Sequence, residues 1–542
     1  MSHSYSRRDV LRHSALLLAA AGAGVRPSFA DEGGAVVADT SYGRIRGTET
    51  RGIKVFKGVP YGASTAGRNR FMPPAAPAKW AGVRDALAYG ASAPQTEPGS
   101  RRAASAIAVA AAGLPPEGED CLVLNVWTPA VKDNRKRPVM VWCHGGGFAT
   151  GSGSSPVTEG ANLARRGDVV VVTLNHRLNV LGFSNLASVA GAEFTSSGDV
   201  GMLDIVRALE WVRDNIAEFG GDPGTVMVFG QSGGGRKVST LLAMPSARGL
   251  FHRAVIESGA TLQLVEPEAG ARVARELLST LGIAAGQGRG LQEVPLDTLM
   301  AAYFTVVRKM NVDQMTQGFS PAMDGRIVAQ HPFHPAASQV SAGVPVMLGS
   351  TRTELTSSAA AEDFSMSDAT MRARVRTLLG AHADRALDVY ARANPGASPA
   401  DLYFLIASDH RYSGPVMKIA ERRAALGAGP VYLYYFRWET PVDGGRLKSP
   451  HTIEIPFAFD NIQAASRLTG GGAEAQALAD RVSDAWIAFA RTGNPNTPKL
   501  PQWPAFTAAD RPTMVIDTHS RVERDPIKEQ RLAMWEALGY LS

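Results

Sequence analysis

A chain of 542 residues with 45% apolar and 20% charged side chains has ordinary globular composition, which excludes a disordered, collagenous or coiled-coil protein. Two cysteines exclude a disulfide framework or a thiolate-rich metal cluster, and no apolar run reaches the roughly 18 residues that cross a bilayer. The formal charge of +6 is spread over 56 basic and 50 acidic side chains, so neither nucleic acid nor stable membrane insertion is expected.

The first thirty residues carry half of that charge. Ser6-Arg7-Arg8-Asp9-Val10-Leu11 is a twin-arginine pattern, followed by the apolar stretch Ala15 to Val25 and the small-residue exit Ser28-Phe29-Ala30. In that order these features predict a Tat-type export signal over 1–30, cut after Ala30. Its loss leaves 52 basic and 49 acidic side chains in a mature chain of residues 31–542. That chain is expected to be periplasmic or secreted. No internal repeat and no long Pro- or Ser/Gly-rich linker divides it, so one catalytic domain is expected. Glu97 to Glu117 is rich in Pro, Gly and Ala and predicts a surface loop or short helix, placed to cover a site mouth.

Apolar, β-branched runs then alternate with helical patterns. Val139 to Cys143 predicts a buried strand that runs directly into His144-Gly145-Gly146-Gly147-Phe148. Successive glycines after a strand let backbone N–H groups approach a ligand with no Cβ in the way, as an oxyanion site requires. Val169 to Leu174 is the next strand. Met202, Ile205, Val206, Leu209, Val212, Ile216 and Phe219 mark one helix face, ending at Gly220-Gly221-Asp222-Pro223.

Thr225 to Phe229 is a strand that enters Gly230-Gln231-Ser232-Gly233-Gly234-Gly235. Gly230-x-Ser232-x-Gly234 fits a nucleophile elbow, a strained strand-to-helix turn that exposes a serine hydroxyl at the sheet's edge. Side chains at 230 and 234 would collide there, and a positive φ is cheap mainly for glycine. A phosphate-binding loop is the competing reading of the same glycines. It requires Lys directly after the last glycine and then Ser or Thr for magnesium, where this chain has Arg236, Lys237 and Val238.

Strands follow at Ala254 to Ile256, Val344 to Leu348 and Tyr432 to Trp438, and a closing helix carries Leu478, Val482, Ala485, Trp486 and Phe489 before Gly493-Asn494-Pro495. Alternating buried strands and helices predict an α/β fold, a large, mostly parallel sheet covered on both faces. A serine nucleophile needs an imidazole to take its proton. Of the eleven histidines, His3 and His13 leave with the signal, and His331 and His334 lie in a Pro-broken stretch. His451 stands in a polar turn leading into apolar residues. Among the acids, Glu354 follows a predicted strand, whereas Asp324 before Gly325 reads as a turn aspartate. The order Ser232, Glu354, His451 is that of α/β-hydrolases.

With these residues in place, the chain resembles the type-B carboxylesterases, which include bacterial p-nitrobenzyl-type esterases, animal carboxylesterases and cholinesterases. The likeness runs from about 40 to 530, through Phe56 to Tyr61, Glu119 to Trp127, His144 to Phe148, Leu181 to Phe183, Asn215 to Pro223, Phe229 to Gly234, Phe251 to Ala254 and Phe489 to Pro495. The resemblance implies the α/β-hydrolase fold and ester hydrolysis through an acyl-enzyme, with Ser232 as nucleophile, His451 as base and Glu354 as acid. It also implies Gly146, Gly147 and Gly233 as oxyanion donors, a small-molecule ester as substrate, and no metal or organic cofactor. An inactive binding protein on the same fold, an amidase and a lipase are the alternatives. Three departures stand out. Gln231 replaces the family's usual Glu before the nucleophile, Gly62 to Thr65 replaces a common proline pair, and Ala93 stands where a disulfide partner for Cys121 would be. Cys121 is then expected to be free unless it reaches Cys143.

Overall fold

A computed structural model describes residues 34–99, 115–312 and 318–541. The expected signal, 1–30, and most of the 97–117 stretch lie outside the described residues.

The strands are β1 (Ala35–Thr40), β2 (Gly43–Thr50), β3 (Ile53–Pro60), β4 (Val83–Asp85), β5 (Val123–Thr128), β6 (Arg137–Cys143) and β7 (Val170–Leu174). They continue with β8 (Gly221–Gln231), β9 (Arg253–Glu257), β10 (Val346–Thr351), β11 (Val431–Phe436), β12 (Pro512–Ile516) and β13 (Arg521–Arg524). All join one sheet in the order β1-β2-β3-β5-β7-β6-β8-β9-β10-β11-β12-β13, with β4 alongside β2. From β7 to β12 every neighbour pair is parallel. Antiparallel pairs form both margins, β1-β2-β3-β5-β7 on one side and β12-β13 on the other. The six runs expected as strands all fall in the parallel centre. The antiparallel margins went unread because strands such as Gly43–Thr50 alternate charged and small residues, with little apolar signal.

Central strands are buried throughout, as a sheet covered on both faces requires. Their alternation divides two cores. Val139, Val141, Val172 and Val228 face the helix α1 (Val200–Asn215), which presents Ile205, Leu209 and Val212. Helix α2 (Gly233–Leu241), which follows β8, adds Val238 and Leu241 to this first core, whereas Met140, Trp142, Val171, Met227 and Phe229 face the other way, toward α3 (Ala473–Thr492). It is α3 that packs this second core, with Leu478, Val482 and Trp486. Both periodic stripes are therefore core, as their spacing implied. A left-handed Gly493 (φ 77°) ends α3 where the sequence placed its stop. After β10, the helices Asp368–Leu379, Ala383–Ala393 and Pro399–Ser408 form a satellite core around Val375, Leu387, Tyr390 and Phe404. Cys121 and Cys143 are both buried and free. No helix among the described residues is long and apolar enough to cross a membrane.

Candidate active site

Strand β8 ends at Gln231, and α2 starts at Gly233, leaving Ser232 alone in the turn with φ 58° and ψ −120°. The positive φ thus falls on the serine itself and not on a neighbouring glycine, which corrects part of the steric reasoning from sequence. A non-glycine residue in that region stores strain that the surroundings must hold. Here the Ser232 N–H donates to the Glu257 carbonyl at the end of β9, 2.8 Å away, and the Ser232 carbonyl accepts from Arg236 N–H in the first turn of α2 at 3.0 Å.

The elbow's glycines supply space. A Cβ at Gly230 would lie 2.6 Å from the Cys143 carbonyl oxygen, and one at Gly234 would lie 2.0 Å from the same atom. At Gly233 it would lie 2.2 Å from the Gly147 oxygen and 2.4 Å from the Gly147 nitrogen, so the start of α2 touches the glycine loop after β6. That loop turns on Gly146 (φ 87°) and Gly147 (φ 62°), conformations that side-chain-bearing residues adopt at a cost. Among the described residues, the N–H groups of Gly146, Gly147 and Gly233 have no protein acceptor. Three unpaired donors on segments in contact form the start of an oxyanion site.

Glu354 opens a short 3-10 turn just beyond β10 and is fully buried. Its Oε1 accepts from Thr351 N–H at 2.8 Å, and its Oε2 accepts from His451 Nδ1–H. The two loops are laced together beside that bond: His451 N–H donates to the Glu354 carbonyl at 3.1 Å, and Ser449 N–H donates to Thr353 Oγ1 at 2.9 Å. Gln231, next to the serine, rests its amide against the imidazole, 3.2 Å from Nδ1 and 3.3 Å from Nε2. Glu354 and His451 therefore meet directly, and His451 meets the elbow through Gln231. The Ser232 hydroxyl makes no hydrogen bond among the described residues. Such bonds often tighten only when substrate is bound. Asp324 is a turn aspartate, as its sequence indicated, its Oδ1 accepting from the N–H groups of Arg326, Ile327 and Val328.

Sequence reasoning passed over several residues here. Tyr412 packs its ring 4.8 Å from that of His451, centroid to centroid. It is brought there by a π-helical turn, Asp409–Ser413, inserted between two α-helices, and no periodicity signals such an insertion. Glu257 and Glu454 lie buried behind the elbow. Trp486 Nε1 donates to Glu257 at 2.7 Å, and Ser258 Oγ donates to Glu454 at 3.0 Å. Burial, then the neighbouring Glu454 charge, pushes Glu257 up to about 8. Burial and the Glu354 charge likewise hold Glu454 above the usual carboxylate range. Lys237, considered from sequence only as a misplaced P-loop lysine, is wholly buried below the glycine loop. Its signal was an ionisable residue on a helix otherwise committed to the core. Among the described residues no group of three or more His, Cys, Asp or Glu side chains is placed to hold a metal ion.

The model of the carboxylesterase family matches residues 34–535. The para-nitrobenzyl esterase of Bacillus subtilis is 35% identical over 508 residues, covering 93% of this chain and 99% of that protein. The phenmedipham hydrolase of Pseudarthrobacter oxydans is 37% identical, covering 90% of this chain and 97% of that one. The crystal structure of a Geobacillus stearothermophilus carboxylesterase superposes with a TM-score of 0.79 at 36% identity, covering 92% of this chain and 99% of that one. By sequence and by fold, the chain belongs to the carboxylesterase family, the α/β-hydrolases of type B, and is a carboxylic ester hydrolase.

Proposed function

We propose that Ser232, His451 and Glu354 carry out this hydrolysis as a triad, with Gly146, Gly147 and Gly233 as the oxyanion donors. His451 takes the Ser232 proton as the hydroxyl oxygen attacks the ester carbonyl, and the three N–H groups receive the developing oxyanion. His451 then gives the proton to the departing alcohol. A water attacks the acyl-enzyme by the same route in the second half-reaction. Glu354 fixes the ring with its protonated nitrogen toward the carboxylate and stabilises the imidazolium that forms. The steps call for no metal or organic cofactor.

The observation that carries this reading is the fully buried Glu354, divided between Thr351 N–H and His451 Nδ1 beside a serine held at positive φ. A fluorophosphonate probe tests it. The wild-type chain should be labelled once, at Ser232. Ser232→Ala should lose the label and several powers of ten in turnover while staying folded, with about 10³- to 10⁴-fold residual catalysis over water. A folded Ser232→Ala variant that keeps near wild-type turnover refutes the assignment.

The substrate in this proposal is a small ester with an uncharged alcohol, because Gln231 places no carboxylate beside the nucleophile. Export is also proposed, on the twin-arginine pattern, apolar stretch and Ala30 exit of residues 1–30. N-terminal sequencing of the chain recovered outside the cytoplasm should read from Asp31.

A further inference from the structure

We infer that Lys237 is a positioning residue for the oxyanion site, its ammonium clamping the glycine loop against the nucleophile helix. The inference rests on the assignment of Gly146, Gly147 and Gly233 as oxyanion donors. Lys237 lies five residues beyond Ser232 on α2, and its Nζ donates to the carbonyl of His144 at 2.8 Å and to that of Gly147 at 3.0 Å. Those carbonyls belong to the peptide units 144–145 and 147–148. The loop's two proposed donors, Gly146 N–H and Gly147 N–H, belong to the units between them, 145–146 and 146–147. One ammonium therefore holds both flanks of the segment whose N–H groups must point at the oxyanion.

The segment needs holding, since its two central residues are glycines at positive φ with few intrinsic limits on their conformation. Ala149 and Thr150 N–H groups bond back to the Gly146 carbonyl at 3.3 and 3.0 Å, which holds unit 146–147, and His144 Nδ1 lies 2.9 Å from the Gly145 carbonyl of unit 145–146, so Lys237 adds the hold on the units to either side. The clamp also crosses the two halves of the site. The third donor, Gly233 N–H, belongs to the first turn of α2, and Lys237 is anchored one turn further along the same helix. Loop and helix thus keep a common register at the spot where a Cβ on Gly233 would already overlap Gly147.

The alternative is a lysine that serves packing alone, and its surroundings argue against that. A buried ammonium is costly unless it is paired; of the fold's other deeply buried cations, Arg177 meets the carboxylate of Asp204 at 2.6 Å, while Arg423 donates to the carbonyls of Ser341, Ala342 and Val344 and so ties a loop, as Lys237 does here. Among the described residues Lys237 has no carboxylate partner. The ionisable groups facing it are the Cys143 thiol and the imidazoles of His144 and His176, and the Phe148 ring centroid lies 5.7 Å from Nζ. Burial accordingly pushes the amine down to about 7. A methionine or leucine would fill the space without that cost. What they would not supply is a positive charge and two directed hydrogen bonds behind the atoms where negative charge develops.

The test compares Lys237→Met, which removes charge and donors, with Lys237→Gln, which keeps an NH2 donor without the charge. Each is scored per active site, titrated by the burst of an activated ester. Losing an oxyanion donor outright costs about 10²- to 10³-fold in kcat, so losing the support behind the donors should cost about 10- to 100-fold, with KM within about twofold. Lys237→Gln should fall between wild type and Lys237→Met. A trifluoromethyl ketone, whose adduct carries the oxyanion, should lose affinity by the same factor as kcat/KM. Affinity for a non-reacting substrate analogue should not change. If Lys237→Met yields no titratable enzyme, Lys237→Gln decides. Wild-type kcat per titrated site, or a loss confined to KM, melting temperature or the number of active sites, overturns the inference. Loss of burst and label in the wild-type enzyme would instead overturn the Ser232 assignment.

Discussion

Glu354→Gln is the sharpest perturbation the site offers, because both oxygens of that carboxylate face N–H donors. Oε1 accepts from Thr351 N–H at 2.8 Å and Oε2 from His451 Nδ1–H. An amide has one acceptor oxygen, so its NH2 must confront one of the two donors, and the residue is fully buried. A buried donor left unsatisfied costs about 1 to 3 kcal/mol. The lost charge costs more, since a carboxylate about 4 Å from the imidazolium stabilises it by about 4 kcal/mol at an effective dielectric near 20. Each 1.4 kcal/mol being a factor of ten, the combined effect on kcat/KM is about 4 × 10³- to 10⁵-fold. Turning the imidazole to its other tautomer relieves the donor clash but leaves no lone pair for the Ser232 proton, so the rate does not recover. The assay is steady-state hydrolysis of p-nitrophenyl acetate, with the fold checked by circular dichroism and melting. A folded Glu354→Gln enzyme within tenfold of wild type would refute the reasoning. So would Asp409→Asn showing the larger loss, since Asp409 is occupied by Tyr390 OH at 2.6 Å and is not expected to act on His451.

Glu257→Gln tests the buried acid behind the elbow. With its pKa pushed up to about 8 from 4.5, the folded chain holds a proton that the unfolded chain releases. This contribution to stability is complete below the unfolded value and is lost as pH rises through the folded one. Glu257→Gln should therefore melt like wild type at pH 5 and about 2 to 5 °C above it at pH 9, given about 1 kcal/mol per degree for a chain near 500 residues; equal decline of both proteins with pH would refute it. Gln231 predicts that a neutral ester will exceed a choline ester of equal acyl length in kcat/KM, and that Gln231→Glu will narrow the gap more at low salt than at high salt. Wild-type preference for the choline ester at both salts would reveal a cation site that Gln231 does not provide.

The parallel centre of the sheet was legible because its strands are buried on both faces and read as unbroken apolar runs, Val139 to Cys143 being the clearest. The margins were not, since their strands are half exposed and carry charge. The members of the proposed triad were nominated through local grammar: a serine among glycines after a strand, an acid just past a strand, a histidine in a polar turn. Their partners were not. Thr351 N–H, Tyr412 and Glu454 reach the site through tertiary folding, with no sequence pattern to mark them. The elbow's strain was legible in kind but not in place, because a G-x-S-x-G pattern does not say which of its residues adopts the positive φ. Close packing assigns the roles: glycines at 230, 233 and 234 are excluded from having a Cβ by atoms 2.0 to 2.6 Å away, while Ser232 bears the conformation.

The arrangement of charge around this elbow follows the charge of the reaction. In the proposed mechanism, attack on the carbonyl creates a negative oxygen over the three N–H groups and a positive imidazolium at His451, a dipole laid across the serine. Lys237 lies behind the negative end and Glu354 beside the positive end, so Glu354, and Lys237 in its protonated form, favour the transition state over the neutral ground state, which is the condition for accelerating the step. A further negative charge near the serine would oppose the oxyanion as much as it aids the imidazolium. The fold avoids one in two ways. Gln231 is neutral, and burial keeps Glu257 protonated at neutral pH, although its backbone carbonyl is the atom that holds the Ser232 N–H. On this layout an acid introduced at 231 acts on two charges of opposite sign. Its effect on neutral esters should then be small, while its effect on a cationic alcohol, which has no opposing term, should be the larger one.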